Sequence, residues 1–107
     1  MYPRGYTCKI YTIKTLKEFD DWLNDLKDSQ TRIRLARRLE KASRGNFGDV
    51  APVGENVNEM REFFGPGWRM YYIQQGDTLI VMLGGGDKST QSKDIRKAKR
   101  LAKMLED

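Results

Sequence analysis

Three basic residues stand where the local pattern does not explain them as core. Arg61 and Arg69 lie in two consecutive β-like segments, and Lys88 lies just after a third. If Arg61 and Arg69 project from the same face of a sheet, their guanidinium groups meet across neighbouring strands, where like charges repel unless an anion lies between them. A phosphate suits this place because arginine presents a rigid fork of donors to its oxygens. The structural alternative is an ion pair of Arg69 with Glu59 or Glu62.

Residues 84–90 form a glycine-rich segment that ends in a lysine and two hydroxyl residues. The segment departs from the nucleotide-binding phosphate loop because Asp87 interrupts the step from glycine to lysine, and the chain lacks the parallel sheet that such a loop serves. The N–H groups of a glycine turn, with hydroxyls and a lysine, can still contact a phosphodiester. The alternative is a strand-to-helix turn in which Thr90 or Ser92 caps the helix.

Positive charge is concentrated in two segments of the chain, whose net charge is +5. Residues 29–44 carry six basic residues and one acid, and residues 88–104 carry seven and one. Such clusters attract phosphate backbones or acidic partners, although a solvated helix face has the same pattern. An exposed tyrosine beside the arginines would stack a base or donate to a phosphate. The predicted nucleic-acid contacts are Arg37, Arg38, Lys41, Tyr71, Ser89, Lys93, Arg96 and Lys97.

Hydrophobic periodicity and turn residues predict the elements that position these side chains. A capping box of Thr15 and Glu18 is expected at the start of the first helix, Asp28 and Ser29 separate the helices, and Gly45 ends the second. Apolar and polar residues alternate in the predicted strands at 57–64 and 68–75, which predicts one buried face for each strand. Only one of Tyr71 and Tyr72 is therefore expected in the core. The predicted elements are a strand at 7–13, helices at 16–27 and 30–44, a loop at 45–54, strands at 57–64, 68–75 and 78–84, and a helix at 91–105.

This order predicts an α+β domain of two layers, in which helices pack on an antiparallel sheet. With 107 residues and 12.4 kDa, the chain is expected to form a single domain over residues 1–107. Its lack of histidine removes imidazole as a ligand, base or triad member, and its lone cysteine, Cys8, excludes an intramolecular disulfide or a cysteine zinc cluster. With no membrane span or signal peptide in the sequence, we expect a cytoplasmic protein.

Several motifs together resemble the addiction-module killer proteins, a HigB-like branch of the RelE/ParE superfamily of bacterial type II toxins. The segment at 64–72 reads Phe-Gly-Pro-Gly-Trp-Arg-Met-Tyr-Tyr, and it follows Asn-Glu-Met-Arg at 58–61. The other matching segments are 45–55, 76–79 and 85–89. The resemblance extends from about Tyr11 to Leu105, and it implies a compact fold like that of microbial ribonucleases, in the order β-α-α-β-β-β-α.

The resemblance implies a toxin that cuts mRNA, commonly on the ribosome, without a metal or other cofactor. It also implies a partner, a cognate antitoxin that is a small helix-turn-helix protein, in a hetero-oligomer with the toxin. By position, Arg69 matches a phosphate-binding catalytic arginine, and Lys88 falls near a basic residue that stabilises the phosphate and the leaving group. Arg61 is nearest to the strand position that RelE fills with lysines, but its register differs.

This register leaves the general base open, with Arg61, Glu62 and Asp87 as alternatives. The tyrosine that RelE uses near its C-terminus is also missing here, so its role is empty or falls to Tyr71, Ser92 or Lys93. Two rivals to an endoribonuclease remain. One is a ParE-like poison of DNA gyrase that is not an enzyme, and the other is a degenerate member that binds only its antitoxin or nucleic acid.

Overall fold

The computed structural model describes residues 10–106, so Cys8 and the first part of the predicted strand at 7–13 lie outside the described residues. The chain folds as an α+β domain, which confirms the predicted class. In chain order the elements are β1 (Thr12–Thr15), α1 (Lys17–Asp25), α2 (Ser29–Ser43), β2 (Val50–Gly54), β3 (Val57–Arg61), β4 (Trp68–Gln75), β5 (Leu79–Asp87), a 3₁₀ turn (Lys88–Thr90) and α3 (Gln91–Leu105).

The strands form one five-stranded sheet in the order β1-β5-β4-β3-β2. Strands β2 to β5 pair as an antiparallel meander, whereas β1 runs parallel to β5. The prediction of a wholly antiparallel sheet is therefore wrong. The helical hairpin α1–α2 and the meander carry the chain across the sheet, so that β1 and β5 meet as neighbours with the same direction.

Strand β2 lies within the segment that the sequence predicted as a loop. It pairs antiparallel with β3, with Val50 opposite Met60 and Pro52 opposite Asn58. The glycines and Pro52 suggested a loop, but proline is tolerated on a strand that has a neighbour on one side only. The meander therefore has four strands, and the predicted order lacks β2.

Helices cover both faces of the sheet, so the predicted two-layer packing is wrong. Helices α1 and α2 bury Phe19 and Leu35 on one face, together with Met60 and Met70 from the sheet. Helix α3 buries Ala98 on the other face. The sheet residues buried there are Val57, Tyr71, Ile73, Val81 and Leu83. Strand β4 is buried on both sides, and both Tyr71 and Tyr72 are core residues.

The helix ends agree only in part with the predicted signals. Helix α1 begins after Leu16, which makes no side-chain cap, so the predicted box of Thr15 and Glu18 does not form. Helix α2 begins after Asp28, whose carboxylate accepts a hydrogen bond from the Gln30 N–H. Hydrogen bonds, the one from the Thr31 hydroxyl foremost, lower the pKa of Asp28 below its ordinary value. At the other end Gly45 has a φ of 94°, as a glycine after a helix commonly does.

Two adjacent glycines of β5 are expected to respond in opposite ways to substitution by alanine. A Cβ at Gly85 would lie 2.4 Å from the Trp22 ring, whereas a Cβ at Gly84 would have nothing within 4 Å. We expect Gly85→Ala to lower the free energy of unfolding by about 1–3 kcal/mol, the usual cost of overpacking. Gly84→Ala should leave it unchanged or raise it. Urea unfolding of both variants measures this, and equal midpoints would contradict the observed packing of Trp22.

Candidate functional site

The basic residues singled out in the sequence meet at one end of the sheet. Arg61 lies directly opposite Arg69 across β3 and β4, and Arg69 lies opposite Gly86 of β5. Arg61 and Arg69 therefore share the face that α3 covers. Lys88 follows two residues after Gly86, and a Cβ at Gly67 would lie 2.6 Å from Lys88 Cδ and 3.7 Å from Arg69 Nη1. The structure thus brings all three predicted catalytic residues together.

The guanidinium of Arg69 is buried, with 5% of the residue exposed. Its Nη1 donates to the carbonyl oxygens of Glu62 at 3.1 Å and Trp68 at 3.0 Å. Its Nε lies 4.0 Å from the Glu59 carboxylate, which is equally buried. The structural alternative, an ion pair between Arg69 and Glu59, is therefore present in the folded chain.

Glu59 belongs to a buried polar cluster beneath the start of α3. Gln91, the first residue of that helix, donates to both carboxylate oxygens, at 3.0 and 3.3 Å. Tyr71, directly opposite Glu59, is fully buried. Burial raises the pKa of the Tyr71 phenol, and the charges of Glu59 and Asp94 act in the same direction. The expectation of an exposed Tyr71 that stacks a base is wrong.

Arg61, Arg69 and Lys88 follow one another across the sheet as a basic row. Arg61, at the end of this row nearest to β2, forms an ion pair. Its Nη2 donates to Asp49 Oδ1 at 2.9 Å, and both side chains are 37% exposed. The hydrogen bond with Asp49 and the charge of this carboxylate raise the pKa of Arg61. The guanidinium therefore stays a cation, and a solvent-accessible carboxylate adjoins it.

Two donors in this row lack an acceptor. Neither Arg61 Nε nor Arg69 Nε has a hydrogen-bond partner in the part of the chain that the structure describes, although both atoms are buried. A buried N–H without an acceptor costs about 1–3 kcal/mol. Because both Nε atoms are buried, an anion would reach the two arginines through the exposed part of Arg61, whose side chain is 37% exposed.

Lys88 opens the 3₁₀ turn and is exposed. Within residues 10–106 no carboxylate lies within 4.0 Å of its ammonium group. Asp87 fixes the turn, since its carboxylate accepts from the N–H of Ser89 at 2.8 Å and from its hydroxyl at 2.5 Å. Thr90 donates its hydroxyl to Asp94 at 2.5 Å and does not cap α3. A shallow concavity of about 420 Å³ beside the turn is lined by Lys88, Ser89, Lys93 and Arg96, among others.

The basic residues of α2 form a second surface on the opposite face of the sheet. Arg37 and Lys41 are exposed beside a concavity of about 210 Å³. Arg38 is partly buried and pairs with Glu62 at 2.6 Å, while it also donates to the carbonyl oxygens of Phe47, Asp49 and Arg61. Because these bonds hold the loop before β2, Arg38 belongs to the framework, unlike its exposed neighbours. The last predicted contact, Lys97, lies in a groove between α1 and α3.

Sequence reasoning missed Asp49, Glu59, Gln91 and Phe63 as members of this site. Phe63 is 73% exposed, and its ring centroid lies 5.9 Å from the guanidinium carbon of Arg69. The only signal in the sequence was its position just before the Gly-Pro-Gly turn, which leaves a residue beyond the end of β3. Glu59 had been considered only as a partner for Arg69. The Asp49 and Gln91 contacts join residues 12 and 32 positions apart, and no local pattern predicts them.

The architecture is that of RelE. A double arginine-to-alanine mutant of the Escherichia coli toxin RelE, in the free state, superposes with a TM-score of 0.66 over 85% of this chain and 97% of RelE, at 13% sequence identity. No family model matches the sequence. A protein of Haemophilus influenzae strain Rd, named "Uncharacterized protein", is 43% identical over 93 residues, which cover 87% of this chain and 94% of the relative. The chain belongs to the family of that Haemophilus protein.

No helix in the described part of the chain has the length and apolar character needed to span a membrane.

Proposed function

We propose that this protein is the toxin of a type II toxin–antitoxin system, of the HigB-like branch, and that it cleaves mRNA in the cytoplasm. The observation that supports this most is the pair of opposed arginines, Arg61 and Arg69, with the exposed Lys88 beside them, in a RelE-like fold. A phosphate placed here would accept charge-assisted hydrogen bonds from the half-exposed Arg61 and from Lys88, and Arg69 would add its charge from beneath. The exposed cations of α2 and α3 would attract RNA to the site by their charge.

The order of side chains across the strands suits phosphodiester cleavage by the ribose 2′-OH. Asp49 just before β2, Arg61 on β3, Arg69 on β4 and Lys88 after β5 follow one another across the sheet. Neighbouring strands are about 4.8 Å apart. A phosphate bound over the arginines would therefore have a carboxylate on one side and an ammonium group on the other, as an in-line displacement requires.

In this mechanism Asp49 accepts the proton of the 2′-OH, and the 2′-oxygen forms a bond to phosphorus. The bond from phosphorus to the 5′-oxygen breaks, and Lys88 gives that oxygen its proton. The products are a 2′,3′-cyclic phosphate and a 5′-OH end. Arg61 and Arg69 stabilise the charge that builds up on the phosphate oxygens. Asp49 and Glu62 each pair with an arginine, and Asp49 is preferred because its side chain is 37% exposed, whereas that of Glu62 is 21% exposed. Asp87 is set aside because its carboxylate holds the turn at Ser89.

One observation favours the gyrase-poison alternative. Arg61 and Arg69 each have a carboxylate partner already, so their charge is partly neutralised without any substrate. A protein that only docks on gyrase would need no free cations at this site.

Expression of the chain alone in a bacterial host separates these functions. We expect growth arrest, together with new transcript 5′ ends that carry a hydroxyl group and map within coding regions. Co-expression with the product of the adjacent reading frame, where the antitoxin gene is expected, should restore growth. Arrest without new 5′ ends, combined with inhibition of supercoiling by purified gyrase, would contradict the ribonuclease and support the gyrase poison. The absence of any growth defect would support the degenerate member.

Phe63 is expected to bind RNA by stacking. An exposed ring beside a phosphate-binding arginine offers a platform for a base, worth about 1–3 kcal/mol per base. We expect Phe63→Ala to weaken binding of a short single-stranded RNA by about tenfold or more, with an unchanged Tm. Fluorescence anisotropy measures the affinity. Met104→Ala is the matched control, since Met104 is 72% exposed at the far end of α3. Equal losses in both variants would contradict the stacking role.

A further inference from the structure

Strand β5 has an unpaired stretch of edge inside the sheet. Strand β4 pairs with β5 from Leu79 to Asp87, but β1 pairs only from Leu79 to Met82. The Leu16 N–H then donates to the Met82 carbonyl, and the chain turns away into α1. Among residues 10–106, no strand pairs with residues 84–87 on the side of β1. Free strand edges are templates for another strand.

This free edge opens into a groove rather than onto a flat surface. The groove has a volume of about 510 Å³. Trp22 of α1 lies on one side, Leu101 of α3 on the other, and Leu83, Gly84 and Gly85 form part of the lining. The groove is thus a slot between two helices with a strand edge along it, of a size that accommodates side chains.

Glycine makes the backbone of this edge accessible. A Cβ at Gly84 would meet no atom of the described part of the chain within 4 Å, so residues 10–106 leave the space beside its α-carbon open. Glycine in a strand interior weakens the strand and commonly marks a close approach of another backbone. The neighbouring glycines are explained by packing, since Trp22 covers Gly85 and Asp94 covers Gly86. Gly84 has no such neighbour among residues 10–106.

The charge of the groove selects its occupant. Lys93, Lys97 and Arg100 line it, and in the described part of the chain none of them has a carboxylate within 4.0 Å. The acids beside them are Glu18 and Asp94, and Asp94 is already bonded to the Thr90 hydroxyl. A segment with acidic side chains would find free cations there, whereas a basic segment would be repelled.

We infer that this groove receives an extended acidic segment of a partner polypeptide, which adds a strand to the free edge of β5. Its backbone pairs with residues 84–87, one apolar side chain enters between Trp22 and Leu101, and its carboxylates reach Lys93 and Lys97. Neither Arg61 nor Arg69 lines the groove, although Gly86 of the same edge lies opposite Arg69. The inference does not depend on which function the arginines perform. If the proposed function holds, the natural source of the segment is the antitoxin.

The test uses synthetic seven-residue peptides that alternate glutamate with valine, leucine or phenylalanine. Matched peptides carry lysine in place of glutamate, and a third probe is an eight-nucleotide single-stranded RNA. Binding to the full chain is measured by calorimetry, and protection of the amides at 84–87 by hydrogen exchange. We expect at least one acidic peptide to bind at least tenfold tighter than its lysine counterpart, and to protect these amides.

Two variants locate the binding. Gly84→Leu fills the space beside Gly84, and the double variant Lys93→Glu/Lys97→Glu reverses two positive charges of the groove. Each variant is expected to lower the affinity for the acidic peptide at least tenfold. Lys103→Glu, exposed near the end of α3, should leave its affinity unchanged. The inference is overturned if acidic and basic peptides bind equally or not at all, if Gly84→Leu and the double variant have no effect, or if only the RNA protects these amides. Because no readout here is toxicity, failure of this inference leaves the proposed function intact, and the converse also holds.

Discussion

Replacement of Lys88 by alanine is expected to reduce the rate of RNA cleavage by about 10²–10³-fold, the usual loss when one charge-stabilising donor is removed from an active site. Growth arrest should disappear with it. The fold should persist, because Lys88 is exposed and has no carboxylate partner within the described residues. The measurement is single-turnover cleavage of an RNA that contains a mapped site, accompanied by thermal unfolding.

Lys103→Ala is the matched control, since it removes an exposed lysine from the far end of α3. Both variants lose one positive charge, so a general loss of RNA attraction would affect them alike. If Lys88→Ala cleaves at the rate of Lys103→Ala, Lys88 is not a catalytic residue and the proposed site is wrong.

The role of Lys88 as proton donor has its own signature. An RNA in which sulfur replaces the 5′-oxygen at the scissile bond has a leaving group that needs no proton. This substrate should restore most of the activity of Lys88→Ala, but not that of Asp49→Asn, because Asp49 acts on the 2′-OH. Rescue of neither variant would leave Lys88 with only an electrostatic effect on the phosphate.

Replacement of Arg69 by methionine is expected to lower the free energy of unfolding by about 3–5 kcal/mol, as is usual when one partner of a buried ion pair is removed. The carboxylate of Glu59 would remain buried with Gln91 as its hydrogen-bond donor but without a cation. For a domain of this size, the Tm should fall by more than about 10 °C. Arg61→Met should have a much smaller effect, because its pair with Asp49 is partly exposed to solvent.

A double-mutant cycle with Glu59→Gln isolates the pair. The double variant Glu59→Gln/Arg69→Met removes both charges, so it should be more stable than the sum of the single losses predicts, by about 0.5–3 kcal/mol. Strict additivity in urea unfolding would show that the 4.0 Å approach of Arg69 and Glu59 carries no energetic coupling.

This stability effect changes how activity data on Arg69 are interpreted. Arg69→Ala is not expected to preserve the fold, because the buried guanidinium also donates to the carbonyl oxygens of Glu62 and Trp68. A loss of growth arrest in Arg69→Ala would combine unfolding with lost chemistry. Lys88 is therefore the better test of the proposed site.

Local signals in the sequence were sufficient for most elements and for the basic row. The predicted strand at 68–75 and the helix at 91–105 match β4 and α3, because apolar periodicity and flanking glycines are properties of neighbouring residues. The Gly-Pro-Gly turn between two strands likewise placed Arg61 near Arg69, since a short hairpin leaves few registers. The resemblance to RelE also agrees with the observed fold.

Long-range packing decided the rest, and no local pattern encodes it. Whether β1 runs parallel to β5 depends on how the chain crosses the sheet between them, and whether Tyr71 is exposed depends on how α3 lies on the sheet. The burial of Arg69 and Glu59 likewise depends on the elements that pack around their strands. Burial of a charge or a phenol is set by elements that are far apart in the chain. The sequence by itself therefore determined most of the elements, β2 excepted, and which cations lie near each other. The tertiary structure decided which of those cations has a carboxylate partner and which, like Lys88, has none within residues 10–106.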